Sequence, residues 1–328
     1  MTNQADLSLK KFPMGPKLRA WFGISEDQYK GYENVTPSPE HLALFSEGFI
    51  QSLEEKSPKN ADHLVDVLEE LVGMNFPLLA IKLVDSFPES FPHGDFRAQL
   101  HYGNAAMLVG DLARAEDAFI AAQKLVPEEP APYVNLTQIY CHDRLFLQAR
   151  NWCLAGLDAD PENARLWELI AWLEQNNSNT PLTTQQVSTR IADLARDKNS
   201  WTGTSLACDL ANPEDPLKKV GELESFWNSG LRDPMFLIEY TAVLGVAGRY
   251  DKIPAIIWQA QADLGSKTPW QLLMHLAQAH LGLGRDQEAL QALETLDKYR
   301  ELPDEALALS RSLMAEIKGQ STQAPQTH

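Results

Sequence analysis

Cysteine is scarce in this sequence: Cys141, Cys153 and Cys208 are the only three in 328 residues, and no two form a CxxC pair. An odd number without regular spacing points to a reducing compartment. Basic residues are also few, 28 Lys and Arg against 45 Asp and Glu, for a formal charge of −17. That balance argues against a general nucleic-acid or anionic-membrane surface, because phosphates are neutralised by clustered cations. It favours basic protein segments, or serves solubility alone. No apolar run approaches the length of a membrane span, and the start MTNQADLSLKKFPMGPKLRAWFG lacks the apolar core of a signal peptide. The expectation is a soluble, cytoplasmic protein.

Catalytic signatures are missing too. HExxH, GxxxxGK[ST], GxSxG and GxGxxG do not occur, and Gly282-Leu283-Gly284-Arg285 joins two predicted helices with no strand before it. Cys141 and His142 are adjacent, so on a helix they point about 100° apart and cannot pair as nucleophile and base. Glu69-Glu70 and Glu128-Glu129 read as solvated helix ends. The sequence therefore predicts no catalytic residue, no metal site and no cofactor.

What the sequence has is a period. Gly103, Ala106, Gly110, Ala115, Phe119, Ala122 and Pro127 are followed 34 residues later by Thr137, Tyr140, Arg144, Ala149, Cys153, Gly156 and Pro161. Small residues answer small and bulky answer bulky, and proline closes each unit. The two clear repeats are 96–129 and 130–163. Small side chains at Gly103, Ala115, Ala122, Ala149 and Gly156 let two helices approach, while Tyr102, Phe119, Tyr133, Leu136 and Tyr140 fill the space between them. Gly110-Asp111 suits the turn, and Pro127 and Pro161 stop the second helices.

Around these repeats the chain divides by composition. Residues 1–38, with Pro13, Pro16 and Pro37 and the aromatics Trp21, Phe22, Tyr29 and Tyr32, predict an irregular arm docked on the first helices. Residues 39–196 form an N-terminal lobe of helical repeats, interrupted by the loop Asn176–Pro181. Residues 197–216 read as a connector, and 217–317 as a second lobe ending in a capping helix from Asp304. A polar, disordered tail follows from 318 to 328.

These residues resemble the tetratricopeptide repeat family, whose order of small, aromatic and proline positions both clear units follow. Trp167 also sits where the family favours tryptophan. The resemblance implies an all-α superhelix, a solenoid of α-α pairs, whose first helices line a concave groove. It further implies a non-catalytic scaffold or adaptor that binds a peptide segment of a partner protein, extended or C-terminal.

At 100° per residue, the fourth, seventh, eighth and eleventh positions of each first helix pack inward. The opposite side carries Arg97, Leu100, His101, Asn104, Met107 and Leu108 in one repeat. In the next it carries Val134, Asn135, Gln138, Cys141 and His142, and then Arg165, Glu168, Leu169 and Trp172. Asn104, Asn135 and Gln138 suit the backbone of an extended peptide, Arg97 and Arg165 an acidic group, and Met107 and Trp172 apolar contact. The competing expectation for Arg97 and Arg165 is pairing with a neighbouring carboxylate such as Glu168.

Some members of the family clamp a C-terminal carboxylate with two asparagines and three basic residues. Asn104, Asn135 and Arg165 match that pattern, whereas Leu100 and Leu169 replace two of its basic residues. In the second lobe Met235, Ile238, Ala242 and Val246 make an apolar first helix. Burial within the chain is the simpler expectation, and a homodimer through 234–250, or docking on a larger complex, is the alternative.

Overall fold

A computed structural model describes residues 12–29, 37–176, 182–299 and 302–321. Among the described residues all regular structure is helical, and no helix is long and apolar enough to cross a membrane. Contacts divide the chain into two compact units, Met1–Asp160 and Pro161–His328. The first contains α1 (Pro16–Phe22), α2 (Pro39–Glu55), α3 (Ala61–Gly73), α4 (Pro77–Ser86), α5 (Phe96–Leu108), α6 (Leu112–Leu125), α7 (Ala131–His142) and α8 (Phe146–Ala159). The second contains α9 (Ala164–Asn176), α10 (Thr184–Lys198), α11 (Trp201–Ala211), α12 (Pro216–Asn228), α13 (Pro234–Val246), α14 (Ile253–Leu264), α15 (Trp270–Gly282), α16 (Asp286–Leu296) and α17 (Asp304–Ser321).

One turn geometry recurs throughout. Asn75, Gly110, Arg144, Asn199, Gly230, Gly248 and Gly284 all have positive φ just past a helix end. In each case the next residue donates its N–H to the carbonyl five residues back. Examples are Asp111 to Ala106 at 2.9 Å, Leu145 to Tyr140 at 2.8 Å and Arg285 to His280 at 2.8 Å. This Schellman ending satisfies carbonyls that the helix would otherwise leave bare, and it reverses the chain within three residues. Glycine meets the left-handed requirement without strain at Gly110. Arg144 meets it at a cost of about 1–2 kcal/mol, set by its Cβ.

A second recurring bond ties three first helices, α5, α7 and α9, to the chain before each. Gln99 Nε2 donates to the His93 carbonyl at 2.9 Å, Tyr133 Oη to Pro127 at 2.8 Å and Trp167 Nε1 to Pro161 at 2.7 Å. Donors and acceptors are each 34 residues apart, so three different side chains fill one structural role. Helix contact is close at Gly103, where a small residue was expected, and also at Gly203, in the segment read as a connector. A Cβ placed on Gly103 would lie 2.6 Å from the Phe119 ring, and one on Gly203 would lie 2.5 Å from Trp167.

The N-terminal segment seals the first unit. Phe12, Met14, Leu18, Trp21, Ile24 and Tyr29 are all buried. Phe12 stacks on Phe45 with centroids 4.3 Å apart, and Trp21 Nε1 donates to Ser52 Oγ at 2.8 Å. Glu70 on α3 caps α1 by accepting from the N–H groups of Lys17 (2.8 Å) and Leu18 (3.3 Å).

Residues 197–216, expected to connect two lobes, contain α11, which packs on α10 and α12 within one core. Gly203, Ser205 and Ala207 are buried there, and Glu162 caps the helix start at the N–H groups of Trp201 and Thr202. Small residues give this helix close packing instead of a bulky apolar stripe, so its periodicity is faint in the sequence. The division between compact units falls at Asp160 and Pro161. At the C-terminus α17 continues through Ser321, past the start of the expected tail, and 322–328 lie outside the described residues.

Candidate binding face of the first helices

The first helices α5, α7, α9, α13 and α15 contain 13, 12, 13, 13 and 13 residues. Among these residues only Arg97, Arg165, Glu168, Glu174 and Glu239 are charged, in a chain that is 22% charged overall. Each of the five is ion-paired within its own unit. Arg97 meets Asp66 at 3.2 Å and also Glu69, and Arg165 meets Glu168 at 2.8 Å. Glu174 meets Arg190 at 2.6 Å, and Glu239 meets Lys219 at 2.8 Å. The acidity of the chain therefore lies elsewhere; α5, α7, α13 and α15 present mostly neutral groups, while α9 carries the exposed Arg165–Glu168 pair.

In the first unit the third and tenth positions of each repeat are also buried, namely Ala98 and Ala105 on α5, and Pro132 and Ile139 on α7. The remaining side chains form the candidate face. Asn135 Nδ2 donates to Asn104 Oδ1 at 3.0 Å, joining the two helices through a half-buried amide pair. That single bond leaves Asn104 with two N–H donors, and Asn135 with one donor and its oxygen. Gln138 is half-buried and makes no side-chain hydrogen bond among the described residues. Met107 and Leu100 rest against the core formed by Ala106, Phe119 and Leu136, and Leu108 is 55% exposed.

Arg97 is engaged differently from the role suggested for it. Its guanidinium is held by Asp66 and Glu69, both on α3, and Asp66 also meets Lys17. The Lys17 ammonium, with Arg97 adding to it against some burial, holds the Asp66 carboxyl below its usual range. Arg165, in the second unit, pairs with Glu168 one turn on, as the competing reading of that residue holds. Both guanidinium groups are thus already opposite carboxylates. Trp172 is 44% exposed.

On α13, Met235 is 63% and Val246 78% exposed, so burial within the chain does not account for them. Phe236, Leu237, Tyr240, Val243 and Leu244 turn inward, and a helix with apolar residues on every side must expose some. Ile238 is packed on the core.

Cys141 is half-buried and burial pushes its thiol up, while His142 Nδ1 faces Asp143 Oδ1 at 3.0 Å. Among the described residues no three His, Cys, Asp or Glu side chains are grouped to hold a metal ion.

No family model matches the sequence, and no curated protein matches it. Several solved structures are similar. A tetratricopeptide repeat protein from Parabacteroides merdae shares 12% identity, covers 79% of this chain and 98% of its own, and gives a TM-score of 0.35. Yeast Tom70 shares 15% identity over 98% of this chain and 65% of its own, with a TM-score of 0.46. YrrB, described as a tetratricopeptide repeat protein with an unusual peptide-binding site, shares 16% over 70% and 96%, with a TM-score of 0.29. Overlaps this loose carry no function across. The all-α fold of tandem helical hairpins, of the tetratricopeptide kind, rests on this chain's own period, turns and packing.

Proposed function

We propose that the protein is a non-catalytic scaffold that holds an uncharged, extended segment of a partner protein against α5 and α7. The observation that carries this reading is the amide pair Asn104–Asn135. It lies beside the unengaged Gln138 on helices whose one charged residue, Arg97, is already paired. Amides offer donor and acceptor together, which matches a peptide backbone, and Met107 and Leu108 give apolar contact. Arg97 stays with Asp66 and Glu69 and braces α5 on α3. A carboxylate clamp is disfavoured, since Leu100 and Leu169 replace two of its cations and Arg165 is held by Glu168.

A random displayed peptide library selected on the full chain tests this. Selection should yield a family of peptides that loses about tenfold in affinity on Asn135→Ala, the worth of one or two hydrogen bonds, with helical circular dichroism unchanged. Amidating the C-termini of that family should have no effect. A selection in which no family is sensitive to Asn135→Ala would remove the proposal.

A second reading, assembly through α13, is favoured by the exposure of Met235 and Val246. Concentration-dependent mass by light scattering that Val246→Glu abolishes would support it, and a constant monomer mass would end it.

A further inference from the structure

In the second unit, α13 and α15 wall a cleft of about 510 Å3, and α15 with α17 walls another of about 300 Å3. His275 and Gln278 line both. Ala242, Val246 and Tyr250 lie on one side, and Trp270, Met274 and Leu309 on the other. Val246 and Leu309 are exposed, so neither cleft is covered at those residues by the described chain.

The hydrogen-bond geometry assigns a tautomer to the imidazole. Thr241 Oγ1 lies 2.7 Å from the Leu237 carbonyl and 2.8 Å from His275 Nδ1. Carbonyls can only accept, and with those of Leu237 and Ile238 (3.2 Å) both beside Oγ1 the hydroxyl proton is assigned to Leu237 and Nδ1–H of His275 to donation onto Thr241 Oγ1. His275 Nε2 then carries the lone pair, and no partner among the described residues meets it. Burial lowers the basicity of the ring. On α13 the one charged residue, Glu239, is held by Lys219, and α15 has no Asp, Glu, Lys or Arg.

We infer that His275 is the centre of a second docking site, which takes an extended, uncharged peptide segment. A backbone N–H of the segment donates to His275 Nε2, and aliphatic side chains on either side seat in the two clefts. A bare acceptor between apolar walls selects a neutral donor. An anion would find no cation there, and a cation would be stripped of water against a neutral ring with only the rim acid Glu305 nearby. In an extended chain the side chains at i and i+2 fall on the same side about 6.6 Å apart, leaving the intervening backbone free to bond. The site depends on the chain being a peptide-binding scaffold but not on the Asn104–Asn135 face.

The full chain, a random displayed peptide library and two substitutions test it. Selection should yield a family of uncharged peptides whose affinity falls about tenfold or more on His275→Phe and is unchanged on Asn135→Ala. Methylating one central backbone nitrogen of such a peptide should cost a similar factor. If His275→Phe lowers helical content, Thr241→Val replaces it, because loss of the hydroxyl releases the tautomer and should weaken binding severalfold. Long-range 1H–15N spectra should show Nδ1 protonated and Nε2 bare in the free protein. A protonated Nε2, a flat N-methyl scan, lysine-rich peptides only, or no family sensitive to His275→Phe would each overturn the site. Peptides lost on Asn135→Ala alone would sustain the first-unit face while ending this one.

Discussion

The pair α5–α7 in the first unit and the pair α13–α15 in the second obey the same rules of construction and present different chemistry. Both are followed by Schellman turns with a left-handed residue, Gly110 and Arg144 in one, Gly248 and Gly284 in the other. Both place small residues at helix contacts, where Gly103 meets Phe119 and Gly282 meets Tyr250. Yet α5 and α7 offer a hydrogen-bonded amide pair, whereas α13 and α15 offer mostly apolar groups, one imidazole and the separate amide of Gln278. The repeat constrains turns and packed positions and leaves the outward positions free to vary. That freedom makes charge neutrality on both pairs informative, since an outward helix face with no task is usually strewn with Lys and Glu.

The comparison breaks most violently where the shared construction is attacked. Phe119→Ala should cost about 3–5 kcal/mol and lower the thermal midpoint sharply, because the ring is fully buried against Gly103. Gly103→Ala should cost about 1–3 kcal/mol by overpacking, and Gly282→Ala should match it in the other unit. A Gly103→Ala protein as stable as wild type would show that the close contact is not needed.

Smaller effects sharpen it. Arg144→Gly should stabilise by about 1 kcal/mol by relieving the left-handed backbone at φ 59°, while Gly110→Ala at φ 82° should lose a similar amount. Urea unfolding would read both signs. By contrast Met235→Ser, on the outward face of α13, should change stability by less than about 0.5 kcal/mol.

Stability should also depend on pH through the buried imidazoles. Burial lowers His63, His101, His275 and His280 from the ordinary 6.5. The unfolded chain therefore binds more protons as pH falls below 6.5 than the folded chain does. Their contribution is fully present above 6.5 and lost progressively as pH drops through the folded values. His275→Gln should flatten part of that slope, and an unchanged slope would show that the ring is not desolvated.

Much of the construction was legible in the sequence, and the reasons are local. Gly110, Pro127 and Pro161 carry their meaning in their own backbone geometry, and Ala115, Phe119 and Ala149 in their size. Arg144 hid its turn, because nothing in arginine announces a positive φ and only its place 34 residues after Gly110 hints at it. The role shared by Gln99, Tyr133 and Trp167 was invisible for a similar reason, since three unlike side chains perform it. For Arg97 the sequence leaves binding and pairing with a neighbouring carboxylate both open, because its partners lie about thirty residues earlier, on α3, a distance no helix period reports. The pairing of Asn104 with Asn135 was legible only as shared helix positions, and the tautomer of His275 required Thr241, 34 residues before it.

The central claim is that neutral groups on α5, α7, α13 and α15, whose two charged residues Arg97 and Glu239 are already paired, do the binding. Titration calorimetry of a library-selected peptide at about 50 and about 500 mM salt tests it most directly, because screening weakens ionic contacts and spares amide and apolar ones. The account predicts affinities within about twofold of each other. A loss of about tenfold or more at high salt would contradict it and return binding to the charged residues.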